Sequence, residues 1–160
     1  MITMISQKPS PSAYEKLKIF FVCYVDWFVP VWEKSQNPED QPIAFLENLE
    51  KKSTSDAKKG LQMAVNDVVE TTADWSPQKV AEADAKFSSR GAFTLSEVRR
   101  RYSRRYLQIL RRGSIKSDLE YYFLKGIADS GELPTLSDES EKIGAMLADY
   151  EEKLTGAAPR

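Results

Sequence analysis

"TLSEVRRRYSRRYLQILRRG", residues 94 to 113, contains a start, a period and a stop. Thr94 and Glu97 have the spacing of a capping box, in which the hydroxyl accepts from a first-turn amide and the carboxylate accepts from the cap amide. Gly113 supplies the left-handed residue that closes a helix. Stepping about 100° per residue from Leu95 puts Val98, Tyr102, Tyr106, Ile109 and Leu110 within about 60° of one line. The stretch therefore predicts one helix over 95–112 with a buried stripe.

The same helical logic extends along the chain in both directions. Ser12–Glu15 and Ser117–Glu120 repeat the capping-box spacing, and Ser76–Pro77 pairs a serine cap with a proline at the first helical position. Leu61, Val65, Val68 and Val69 fall on one side of a helix that Thr54 or Ser55 can cap. Ile43, Leu46 and Leu49 mark a shorter helix after Pro38 or Pro42. Leu119, Tyr122, Phe123 and Ile127 mark another, and Ile143, Leu147, Tyr150 and Leu154 mark the last. Around Val80 and Phe87 the chain is rich in alanine, which predicts a peripheral helix. No run of alternating β-branched residues calls for a strand. The expected fold is all-α: a compact bundle of six or seven helices with no sheet.

The most apolar stretch, "KIFFVCYVDWFVPVW" (18–32), has an uninterrupted run of only seven residues, from Ile19 to Val25. Asp26 breaks that run, Pro30 kinks or ends the helix, and a membrane span needs about 20 apolar residues. A central core helix follows, and the apolar surface over 14–32 is also the place for a homodimer contact. Residues 1–11 carry two prolines and no helical period, so they read as a flexible lead-in. Residues 12–155 read as one helical domain with a soft division near 70–78, where Trp75 sits in a loop, and 156–160 as a flexible tail.

Composition narrows the chemistry. The chain of 160 residues has no histidine and one cysteine, Cys23. Histidine-dependent hydrolases, most zinc enzymes and a disulfide framework are thereby excluded, and a buried thiol suits a reducing, cytoplasmic compartment. No phosphate-binding glycine loop, dinucleotide fingerprint or metal-ligand spacing occurs. No catalytic, cofactor-binding or metal-ligating residue is predicted, and the chain reads as a non-enzymatic binding protein.

The candidate binding residues are arginines. On the same helical wheel Arg100, Arg101, Arg104, Arg105, Arg111 and Arg112 fall between about 140° and 280°, opposite the buried stripe. Arg99, at about 40°, falls inside the stripe and calls for a buried ion pair with a carboxylate, such as one on the last helix. Tyr121 lies off its own helix's apolar line and is a candidate interface anchor. Charge is segregated along the chain. Residues 90–116 carry nine basic side chains and one acid, and 118–154 carry ten acids and three lysines. If the later helices fold back, they neutralise the arginines; if not, a basic face stands beside an acidic one. The expected partner is a protein, in a regulatory, adaptor or partner-neutralising role. Nucleic acid is the second reading, set against a total of 23 basic and 24 acidic residues.

Overall fold

The computed structural model describes residues 12–34 and 36–156. The expected lead-in over 1–11, and 157–160 of the expected tail, lie outside the described residues. Gly156, assigned to that tail, instead ends the last helix.

Eight α-helices make up the described residues, with no strand among them. In chain order they are α1 (Ala13–Phe28), α2 (Pro42–Lys52), α3 (Thr54–Thr71), α4 (Pro77–Ser89), α5 (Leu95–Tyr102), α6 (Arg104–Arg112), α7 (Asp118–Asp129) and α8 (Asp138–Gly156). Short 3₁₀ turns at Val31–Glu33 and Pro38–Asp40 join α1 to α2. The all-α expectation holds, and the one additional helix comes from a break at Ser103.

Local signals explain most boundaries. Ser12 and Glu15 close a full capping box on α1, and Thr94 and Glu97 do the same on α5. At α7 the box is only half made. Ser117 accepts from the Glu120 amide, but the Glu120 carboxylate turns to Arg112 and to the Lys116 amide instead. An arginine and an amide together satisfy that carboxylate better than one cap amide would. Ser53, one residue before the pair expected to do so, caps α3 by accepting from Asp56.

The buried side chains form one cluster that draws on all eight helices. α1 is central to it: Leu17, Phe20, Phe21, Cys23 and Val25 are buried, and Ile19, Tyr24, Trp27 and Phe28 pack against them. No helix among the described residues is long and apolar enough to cross a membrane. α4 exposes most of its surface, yet Phe87 is wholly buried, with its ring centroid 4.6 Å from Phe20 and 5.4 Å from Trp27. Phe28 carries this aromatic cluster on to Trp75, 5.0 Å away.

Two later helices depart from their expected faces. In α7 the core side chains are Phe123, Leu124 and Ile127, while Leu119 and Tyr122 are exposed. α7 is covered by α5 on one side and α8 on the other, which draws Leu124 inward and rotates Tyr122 out. In α8, Ile143 and Met146 are buried and Leu154 is exposed, because the C-terminal turns of α8 extend past the helices that cover its start.

Candidate functional site

The arginine segment is two helices. Ser103 is extended (φ −78°, ψ 123°), ends α5, and caps α6 by accepting from the Tyr106 amide at 3.1 Å. It is buried, and Asn66 on α3 accepts from the next amide, Arg104 N, at 3.1 Å. A serine that can bond backbone amides offers the chain an alternative to continuing the helix, and here a second side chain from α3 reinforces that alternative. The single arc of six arginines is therefore redistributed.

Three of the six are held by carboxylates on other helices. Arg100 forms a bidentate pair with Glu139 at the start of α8, Nε at 3.2 Å and Nη2 at 3.0 Å. The Tyr106 hydroxyl donates to the same carboxylate. Those bonds hold the Glu139 carboxyl below its ordinary range, the Arg100 hydrogen bond contributing most, and burial first, then Glu139, drives the Tyr106 phenol up. Arg105 pairs with Glu70 near the end of α3, Nη2 at 2.6 Å. Arg112 pairs with Glu120 on α7 and donates from Nε to the Ser114 carbonyl at 3.0 Å. The neutralisation expected from the later helices thus reaches Arg100 and Arg112, while Arg105 finds an acid earlier in the chain.

Arg101 lies over the Phe93 ring, its guanidinium carbon 4.9 Å from the centroid. The Arg104 and Arg111 side chains have no hydrogen-bond or ion-pair partner among the described residues, and both are exposed. They stand seven positions apart, hence on one face of α6, with Leu107 and Gln108 between them. Leu107 is 47% exposed. Sequence reasoning passed over Leu107, although it lies at about 120° on the wheel, off the buried stripe and beside the arginines. Next to this face an open groove of about 740 Å³ runs between the arginine segment and α8, lined by Arg100, Arg101, Tyr106, Leu107, Glu139 and Lys142 among others.

Arg99 departs from expectation in its partner. It is buried, 3% exposed, but no carboxylate lies at salt-bridge distance from it among the described residues. Its Nη2 donates to the Thr72 carbonyl at 2.6 Å, and its guanidinium carbon sits 4.9 Å from the Phe123 centroid. Thr72 lies in the turn after α3, where its carbonyl has left the helical ladder; it accepts from the Trp75 amide at 3.0 Å and, with its second lone pair, from Arg99. Burial pushes the Arg99 guanidinium down to about 10, with Asp84 opposing that at longer range. The Asp84 carboxylate is engaged elsewhere, by the amide of Ser96 at 3.2 Å and its hydroxyl at 2.5 Å.

Tyr121 is half-buried. Its ring stacks on Tyr150 of α8 with centroids 5.2 Å apart, and its hydroxyl donates to Glu151. That bond pushes its phenol up to about 12. Tyr150 donates in turn to Asp118, so tyrosine–carboxylate bonds tie α7 to α8 in both directions. Tyr121 and the α6 face stand on separate parts of the chain, and the Glu120–Arg112 pair joins α7 to α6.

Among the described residues no group of acid or cysteine side chains is arranged to hold a metal ion. Comparison of the chain with protein-family models, with curated proteins and with solved structures finds no match.

Proposed function

We propose that the chain is a non-enzymatic binding protein that docks a protein partner on the exposed face of α6, in a regulatory, adaptor or partner-neutralising role in the cytoplasm. The observation that carries this reading is the combination of two unpaired arginines with an exposed leucine between them. Arginine is enriched in protein interfaces because its planar guanidinium pairs with carboxylates and loses little on partial desolvation. An apolar centre inside a polar rim is the usual anatomy of a protein interface. The partner that fits presents an apolar contact flanked by carboxylates.

Polynucleotide is the weaker fit. Affinity for a phosphate backbone rests on the number of cations available to it, and Arg100, Arg105 and Arg112 are already engaged with glutamates. An exposed leucine at the centre of the face adds nothing to phosphate binding.

The test is a photo-crosslinking residue at position 108 of the full chain, expressed in the native host. The expected result is a cross-link to one protein that weakens as salt rises, disappears in Leu107→Asp, and is weaker and less salt-dependent in Arg104→Ala and Arg111→Ala. Cross-links to nucleic acid, or a protein cross-link indifferent to all three substitutions, would overturn the reading. A salt titration against single- and double-stranded DNA and RNA completes it, with no binding expected at moderate ionic strength.

A further inference from the structure

A second cavity shares no residue with the α6 groove. It has a volume of about 240 Å³ and lies between α4, α5, α7 and the Trp75 loop. Trp75, Val80, Phe123 and Gly126 form its apolar wall, and buried Arg99 and half-buried Asp84 its polar wall. Lys125 and Asp129 also line it, and they form an ion pair with each other at 3.7 Å.

Arg99 sets this cavity apart. Its Nε has no hydrogen-bond partner among the described residues, although the residue is 97% removed from solvent. A guanidinium has five N–H donors, and a buried charge with an unsatisfied donor is costly unless something supplies an acceptor. The groups around it do not. Thr72 contributes a neutral carbonyl, Phe123 a ring face, and Asp84 has both oxygens turned to Ser96. What the site lacks is an acceptor carrying negative charge and small enough to fit. Cavities that take drug-sized molecules run to about 300–1,000 Å³, so this one is of fragment size. Aromatic side chains in the wall favour a flat apolar body.

We propose that this cavity is a binding site for a small aromatic monocarboxylate, whose carboxylate pairs with the Arg99 guanidinium while its ring packs between Trp75 and Phe123. Binding gives the buried cation a contact counter-ion without disturbing its bond to Thr72. The order of preference follows from charge: carboxylate before neutral alcohol, and alcohol before amine, since an ammonium would face Arg99.

The experiment uses the full chain labelled with ¹⁵N, titrated with benzoate, benzyl alcohol and benzylamine at millimolar concentrations, and followed at the Arg99 Nε–H and Trp75 indole N–H resonances. Benzoate is expected to shift both saturably, and benzylamine neither. Arg99→Met, which keeps the length of the side chain without its charge, is expected to weaken benzoate by about tenfold or more. Gly126→Leu is the second variant, because a Cβ at Gly126 meets nothing within 4 Å and the change raises helix propensity in α7. It is expected to fold and to abolish the shifts by filling the cavity. Absence of any saturable shift with benzoate overturns the proposal. So does equal binding of benzylamine, or benzoate binding unchanged in Gly126→Leu.

Discussion

Phe20 in α1 and Arg99 in α5 are buried to almost the same degree, 0% and 3% exposed, yet they reach that state by opposite routes. Phe20 lies against the Phe87 ring in a core cluster of rings and aliphatic side chains drawn from all eight helices. Apolar burial has no direction, so any close-packed arrangement of such side chains satisfies it. Arg99 is held by one carbonyl 27 positions earlier in the chain and by one ring face. Its burial is directional, and only a particular tertiary arrangement makes it tolerable. The first region is stabilised by quantity, the second by placement.

If that contrast is right, truncation in the aromatic cluster gives the largest loss. Phe87→Ala removes a wholly buried ring that contacts Phe20, Trp27 and Phe28, and an expected loss of about 3–5 kcal/mol in urea unfolding follows from the cavity it leaves. A loss under about 1 kcal/mol would mean that α4 is loosely held and the cluster collapses to fill the gap.

Arg99 sharpens the contrast with two substitutions. Arg99→Ala discards the buried stem and the guanidinium that lies over Phe123, and leaves the Thr72 carbonyl with only the Trp75 amide as donor, so an expected loss of about 2–3 kcal/mol follows. Arg99→Met keeps the stem and removes the buried charge, whose desolvation offsets much of what the hydrogen bond contributes. Its expected loss is about 1 kcal/mol or less. Equal losses for the two variants would show that the carbonyl bond to the end of α3, and not the packing against α7, holds Arg99 and α5 in place.

The same contrast explains what could be read from residue order. The capping residues at Ser12, Ser76 and Thr94, the stripe of α3 and the end of α1 before Pro30 depend on neighbours within a few positions, and all stand as expected. The break at Ser103 was not legible. A wheel drawn through 95–112 is self-consistent, and the deciding partner, Asn66, lies on another helix. The pairing of Arg105 was hidden for a similar reason, since Glu70 is 35 positions away on the polar side of an otherwise ordinary amphipathic helix. In α7 the outward turn of Tyr122 depends on two helices covering one, which no single-helix pattern encodes. Leu107 was visible as an apolar residue out of phase, and its meaning emerged only when the arginines beside it proved to be unpaired.

Ser103 itself gives an intermediate effect. Ser103→Ala removes the acceptor for the Tyr106 amide at a buried helix start, for an expected loss of about 1–2 kcal/mol. Hydrogen exchange should locate the change, with protection falling first in the opening turn of α6 while α5 keeps its own. An undiminished stability, with α5 and α6 running on as one helix, would place the break in Asn66 and the surrounding packing instead.

The smallest effect belongs to the partly exposed Arg100–Glu139 pair, and it carries a sign that pH can read. The Glu139 carboxyl is held below its ordinary 4.5 by Arg100 first and by Tyr106 after it, against the opposing effect of burial. A carboxyl whose folded pKa is depressed contributes stability in full above its unfolded value, and that contribution fades as pH falls through the folded pKa. Asp84 runs the other way. Burial raises its pKa above 3.8, so its ionisation in the folded state opposes stability as pH rises through the raised value. Glu139→Gln keeps an acceptor for Tyr106 and removes the charge, so near neutrality it is expected to be less stable than the parent by up to about 1 kcal/mol, as partly exposed pairs are. The gap between the two proteins should then close as the pH is lowered below 4.5, because the parent loses by protonation what the variant never had. A gap that stays constant through that range would mean that the Tyr106 bond, rather than the charge of Arg100, fixes the start of α8 against the arginine segment.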